Sequence, residues 1–108
     1  MTLEITATDA AAGAEVKGVD LRDPIGDNLF ATLDRALGEY GNIYFRDQEL
    51  TPDQQMAVTL RFGELDPNVF GETHGLDGYP GIVVISNVEE YGHQIGVKGA
   101  GNNWHSDM

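Results

Sequence analysis

The residues best suited to chemistry close the sequence, in Asn103-Trp104-His105-Ser106-Asp107-Met108. His105 and Asp107 stand two positions apart. In an extended segment, alternate side chains project to the same side. That spacing puts an imidazole and a carboxylate on one face, with Ser106 on the other. Both groups are metal ligands. Joined by a second, distant His, such a pair makes the 2-His-1-carboxylate set that holds Fe(II) and leaves coordination positions open. Spacing alone does not single this out, because His-x-Asp equally suits a surface turn with a solvated Asp.

The composition narrows the alternatives. With 108 residues, the chain has the length of one small domain with one core. Apolar residues make up 41%, so burial of a core is expected rather than disorder. Eighteen acidic residues against six basic ones give a formal charge of −12, which argues against a nucleic-acid or anionic-membrane surface. The acids are scattered rather than gathered in a tract, as expected of a solubilising surface. Without cysteine, neither a disulfide framework nor a thiolate metal site can form. Met1-Thr2-Leu3-Glu4 lacks the basic and apolar regions of a signal peptide, and no apolar run has membrane-spanning length. A soluble, cytoplasmic protein is therefore expected.

The elements that must position the closing motif follow from local pattern. Leu3, Ile5 and Ala7 alternate with polar residues and predict a half-buried strand. Residues 10–13 suit a turn, and residues 15–19 a second strand with Val16 inward. After a loop over residues 20–26, Asp27 is the expected N-cap of a helix ending near Gly38 or Gly41. Leu29, Leu33 and Leu37, with Phe30 and Ala36, form its core-facing stripe. Residues 42–46, Asn-Ile-Tyr-Phe-Arg, predict a buried strand. Thr51, Pro52 and Gln54 spell a capping box with Pro at the first helical position. In that second helix Met56, Ala57, Leu60 and Val58 should supply the buried face, and Gly63 the end. Residues 66–81 read as a long connection, and long connections often carry function. Ile82-Val83-Val84-Ile85 predicts a strand buried on both faces, and residues 87–103 a second loop leading to the motif. No Gly-x-Gly-x-x-Gly follows a strand, and Gly96-Val97-Lys98-Gly99-Ala100-Gly101 lacks the Ser or Thr of a phosphate loop.

Several pieces in order carry a resemblance. Gly18-Val19-Asp20-Leu21, Phe45-Arg46-Asp47-Gln48, Leu50-Thr51-Pro52 with Gln54-Gln55, Arg61-Phe62-Gly63-Glu64-Leu65 and Trp104-His105-Ser106-Asp107 together resemble the N-terminal part of the TauD/TfdA group. These are Fe(II)- and 2-oxoglutarate-dependent dioxygenases. The closing piece is similar to the group's Trp-His-[Thr/Ser]-Asp metal motif. The resemblance implies an α+β chain forming the entry part of a double-stranded β-helix, a jelly-roll relative, with residues 1–108 as the N-terminal portion of a single domain. It implies that His105 and Asp107 are two of three iron ligands. The group's third ligand, a His, and its 2-oxoglutarate-binding Arg come after the motif, and no residue of this chain matches them. His74 and His93 precede the motif and are not promoted to that role. The implied cofactors are Fe(II) and 2-oxoglutarate, consumed with O2 in oxidising a substrate, while the protein supplies geometry and an enclosed pocket.

The resemblance also points to the substrate side. Asn68, Phe70, Asn102 and Asn103 fall where the group lines its pocket, although Asn102 and Asn103 also suit plain loop positions. The taurine enzymes of the group carry His where this sequence has Asn68, so taurine is disfavoured. A small anionic substrate is expected: a sulfonate, a carboxylate or an amino-acid-like compound. The remaining partner expectations are O2, no nucleic acid, no membrane and a homo-oligomer. Trp104 is expected to pack beside the site, His74 and His93 to be solvated, Lys98 to sit on the surface, and Arg46 and Asp47 to pair near a strand end. The competing class is a non-catalytic fragment that binds metal weakly or serves as an interaction module. Ending at Met108 would leave Trp104 and residues 82–85 without a partner sheet, an edge that invites aggregation. A longer functional polypeptide, or a second chain that completes the barrel, is therefore expected.

Overall fold

The computed structural model describes residues 2–65 and 74–105, which fall into two units, Met1–Gly63 and Glu64–Met108. In the first, alternation does what the sequence predicts. Strand β1 (Glu4–Ala7) pairs antiparallel with β2 (Ala14–Lys17), setting Ile5 opposite Val16 and Ala7 opposite Ala14. The turn between them closes through the Thr8 N–H to the Gly13 carbonyl at 3.0 Å. Ala14 and Val16 point into the core. Strand β3 (Ile43–Tyr44) adds to β2 in parallel, giving the order β1-β2-β3. A parallel neighbour needs a crossover, and helix α1 (Asp27–Tyr40) makes it.

The α1 N-cap is Gly26 rather than Asp27, and Gly26 has no side chain with which to cap. Asp27 is instead the first helical residue, where its charge meets the positive end of the helix dipole. Leu33 and Ala36 are buried, with Leu33 at the centre of a core shared with Val16, Leu21 and Ile25. Leu37 is partly exposed, at 37%. At about 100° per residue, Leu37 lies about 80° round the helix from Leu29, at the rim of the stripe. Gly41 ends the helix with φ 82, donating its N–H to the Leu37 carbonyl at 3.0 Å.

The expected buried strand over residues 42–46 forms only at Ile43 and Tyr44, both half-buried. Past it, Gln48 substitutes for strand pairing. Its Oε1 accepts from the Leu21 N–H at 2.9 Å, and its Nε2 donates to the carbonyls of Val19 and Arg46 at 3.1 and 3.2 Å. One side chain thereby satisfies three backbone groups that no ladder reaches. Arg46 pairs with Glu15 at 3.2 Å, not with Asp47, which adopts φ 58 in the turn.

Helix α2 (Pro52–Phe62) carries the capping box read from the sequence: Gln54 N–H donates to Thr51 Oγ1, and Thr51 N–H to Gln54 Oε1. Its expected buried face is not buried. Met56 and Val58 are half-buried, whereas Ala57 and Leu60 are exposed. Val58 packs against the core, and the last turn adds further contacts. Phe62 packs edge-on to Phe30 at 5.2 Å, the Arg61 guanidinium lies 4.7 Å above the Phe30 ring, and Arg61 pairs with Asp27 at 3.0 Å. Aromatic and cation–π contacts thus do here part of what an aliphatic stripe does in α1.

The second unit is built from hairpins. Strands β4 (Gly75–Leu76) and β5 (Tyr79–Val83) pair antiparallel around Asp77-Gly78. Strands β6 (Glu89–Glu90) and β7 (His93–Gln94) pair around Tyr91-Gly92, both at positive φ (52 and 79) as a type I′ turn requires. Residues 75–81 and 89–94 read as loops in the sequence, whereas Ile82 and Val83, read as strand, do close β5; Tyr is an uncommon occupant of the second turn. The run Ile82 to Ile85 is not buried on both faces: Ile82, Val83 and Val84 are half-buried, and Ile85 is 69% exposed. The reason is topological, since among the described residues β5 pairs with β4 on one edge, and beyond β5 an isolated parallel bridge joins Ile85 to Val97. No helix of the described residues is long and apolar enough to cross a membrane.

Candidate metal centre

The closing motif lies in the second unit, and a short ladder delivers the chain to it. The Ile95 N–H reaches the Val88 carbonyl at 3.3 Å. The Val97 N–H donates to the Val84 carbonyl at 2.8 Å, and the Ser86 N–H donates to the Val97 carbonyl at 3.1 Å. Gly96 is buried in this ladder because a Cβ there would lie 2.6 Å from the Val84 carbonyl oxygen. Beyond it, the Gly99 N–H donates to Asn87 Oδ1 at 2.9 Å.

His105 then stands in irregular chain rather than in a strand, and its side chain is exposed. Its Nδ1 lies 2.7 Å from the Asn103 carbonyl oxygen. A carbonyl can only accept, so Nδ1 carries the proton. With Nδ1 engaged in this way, Nε2 is the ring nitrogen that a metal would use. An imidazole oriented through Nδ1–H to a backbone carbonyl is the usual support of a metal-binding His. The donor chemistry at His105 therefore fits a metal ion.

Asp107, Asn68 and Phe70 lie outside the described residues, and no group of three His, Cys, Asp or Glu able to hold a metal occurs among the described ones. Asn102 and Asn103 are exposed, and Asn103 enters the site through its carbonyl. Trp104 does not pack in this chain, since its side chain is fully exposed. His93 is exposed as expected, but His74 is half-buried and its carbonyl accepts from the Val84 N–H at 2.8 Å. Lys98 sits on the surface, 4.0 Å from Glu89. An open groove of about 1180 Å³ lies in the first unit, against Glu15, Asp20, Arg46 and Gln48, and none of the described candidate site residues lines it. The roles of Asn87 and Gln48 escaped the sequence reading, although Gln48 belongs to one of the pieces that carry the resemblance. Their roles rest on backbone partners distant in sequence, which no local motif announces.

The family model described as Taurine catabolism dioxygenase TauD, TfdA family matches residues 4–108. An (S)-phenoxypropionate/alpha-ketoglutarate-dioxygenase of Delftia acidovorans is 37% identical over 84% of this chain and 28% of its own. A taurine dioxygenase from Burkholderia xenovorans superposes with a TM-score of 0.63 at 34% identity, over 74% of this chain and 28% of that one. AAD-2, solved with Mn(II) and N-oxalylglycine, superposes with a TM-score of 0.58 at 33% identity, over 62% of this chain and 26% of that one. The chain thus spans between a quarter and a third of the length of these relatives. With the match running from Glu4 to the end of the Trp-His-Ser-Asp motif, the chain belongs to the TauD/TfdA family of dioxygenases.

Proposed function

We propose that the protein is an Fe(II)- and 2-oxoglutarate-dependent dioxygenase that oxidises a small organic acid, and that both units belong to one jelly-roll dioxygenase domain. The observation that carries this reading is the His105 imidazole, oriented by Asn103 inside the family's metal motif. His105 would ligate through Nε2, and Asp107 would add the carboxylate. When bound, Fe(II) with 2-oxoglutarate supplies the oxidising power, through O2 and decarboxylation of the oxoacid. The rest is work for the chain. The Asn103 carbonyl holds the Nδ1 proton and makes the imidazole a better donor. Asn68, Phe70, Asn102 and Asn103 would contact the substrate and orient the bond to be oxidised. A third ligand and an anchor for the oxoacid would complete the set, as the resemblance implies.

The relatives' names support the substrate class. Phenoxypropionate and 2,4-dichlorophenoxyacetate are small carboxylates, and taurine is a small zwitterion bearing a sulfonate. N-oxalylglycine, bound in AAD-2, differs from 2-oxoglutarate by one NH in place of CH2, which supports the same cosubstrate here. A homo-oligomer in solution completes the proposal.

The test is O2 consumption by the intact protein with Fe(II) and 2-oxoglutarate, across aryloxyalkanoates, sulfonates and N-substituted amino acids. Consumption that depends on all three, and is lost in His105→Ala, is expected. Absence of Fe(II) binding by the unaltered protein would overturn the reading in favour of an interaction module.

A further inference from the structure

We infer that Asn87 is a positioning residue for the metal centre, the polar clamp that sets where the chain carrying His105 begins. The inference rests on the iron-ligand reading of His105. Between Val97 and His105 the chain runs through Lys98-Gly99-Ala100-Gly101-Asn102-Asn103-Trp104, with no helix or strand of its own. Gly99 and Gly101 both adopt positive φ, at 67 and 84. Such a segment has large conformational entropy to lose, and His105 can be held for a metal only where something removes it.

The observed restraints are few and nearly all of them precede the segment. The last ladder bonds are those of Val97 with Val84 and Ser86. Beyond them, one long-range bond holds the segment among those found in the described residues: Asn87 Oδ1 accepting from the Gly99 N–H at 2.9 Å, across twelve positions in sequence. Asn87 is itself held from both sides. On one side, the Ser86 N–H is bound to the Val97 carbonyl. On the other, the Val88 N–H donates to Ser86 Oγ at 3.0 Å. The acceptor is therefore presented by a fixed backbone, and it fixes the segment six residues before the ligand. Gly96 lets this happen, because any larger residue would push the Val97 strand off Val84 and carry Gly99 away from Asn87.

The chemistry needed at position 87 is a short side chain with an acceptor oxygen. Asp has it, whereas Ala and Leu do not. The experiment is to measure Fe(II) binding by isothermal titration under anaerobic conditions in the intact protein and in Asn87→Ala, Asn87→Leu and Asn87→Asp, with amide exchange at Gly99 read on the same samples. Expected are roughly three- to tenfold weaker Fe(II) binding in the Ala and Leu variants, the scale of one lost hydrogen bond, together with faster Gly99 exchange. Near-normal values of both are expected in the Asp variant. A merely structural role would lower thermal stability in the Ala and Leu variants while leaving their Fe(II) affinity unchanged. Unchanged Fe(II) affinity in Ala and Leu, or unchanged Gly99 exchange, would overturn the clamp while leaving the metal centre standing. Failure of the unaltered protein to bind Fe(II) would overturn both.

Discussion

The two units bury their apolar residues very differently. The first gathers Ala14, Val16, Leu21, Ile25, Leu33 and Ala36 into a core. The second leaves Ile85, Val88, Tyr91 and Trp104 between 57% and 104% exposed, and among its described residues only Gly96 is buried. The first is held by hydrophobic burial. The second is held by backbone ladders and by single polar side chains such as Asn87. The unit carrying the proposed metal motif is thus the one with the smaller apolar contribution among its described residues. Segments that bind and adjust to ligands come from the low-stability end of a protein. Contiguous exposed apolar groups also mark surfaces made to be covered.

The largest expected effect tests this contrast directly. Leu33→Ala removes a fully buried side chain, and should destabilise the 108-residue chain by about 2–5 kcal/mol in denaturant unfolding. Ile85→Ala, at a position 69% exposed, should cost about 0.5 kcal/mol or less. Equal costs would break the comparison, because they would require the face bearing Ile85 to be covered in solution.

Next in size is Gly96→Ala. Its Cβ would meet the Val84 carbonyl oxygen at 2.6 Å, and a backbone atom cannot rotate away. Forced overpacking of this kind costs about 1–3 kcal/mol. Here it should act locally. Amide exchange at Val97 and Ser86 should accelerate, while that of β1 and β2 should hold. Equal acceleration in both units would mean that the second is as cooperative with the core as the first is with itself.

Legibility in the sequence divides along the same line. In the first unit, patterns with a period were readable: the alternation of β1, the Leu29–Leu33 stripe and the Thr51–Gln54 capping box all reappear as structure. Each of these signals lies within a few residues, so a local rule suffices. What failed there was burial in α2, where Arg61 and Phe62 reach across to Phe30, a partner more than thirty residues away. In the second unit, the strand read at residues 82–85 survives only as Ile82 and Val83, and the short hairpin strands were read as loop. Two-residue strands have no period to detect, and the Tyr91-Gly92 turn lacks the usual Asn or Asp. The continuous run at residues 82–85 reads as buried whether or not anything covers it. The candidate site was legible only through the resemblance. His105 with its Asn103 carbonyl is a contact between neighbours, whereas Asn87 to Gly99 depends on the ladder that brings them together.

A smaller effect belongs to the capping box. Thr51→Ala leaves the Gln54 N–H without its side-chain acceptor, and should lower the stability of the first unit by about 1 kcal/mol. Thr51→Ser keeps the acceptor and should be nearly neutral. Helix α2 buries none of its residues fully, so its cap carries a larger share of its stability than a cap on α1 would. A cost near zero for the Ala variant would mean that Val58 and the last-turn contacts of Arg61 and Phe62 hold the helix without it.

The smallest effect is electrostatic, and it is confined to acid. The Arg22 guanidinium forks onto Asp20, with Nη2 to Oδ2 at 2.7 Å, and the Arg22 N–H also donates to the carboxylate at 3.0 Å. Chiefly through the side-chain bond, the Asp20 carboxyl falls from its ordinary 3.8 to about 2. A carboxyl depressed in the folded state stabilises the fold above its unfolded value and loses that contribution as pH falls through the folded one. The stability difference between the unaltered chain and Asp20→Asn should therefore be flat above about pH 4 and shrink between pH 3.8 and about 2. Both side chains are exposed, so the difference should be small and should fade with salt. Gln48 ties this same loop to residues 46–48 with neutral hydrogen bonds, and Gln48→Ala should instead lower stability at every pH. If Asp20→Asn changed stability equally at pH 3 and pH 7, the ion pair would not be what holds the loop. The neutral clamp of Gln48 would then account for its order alone.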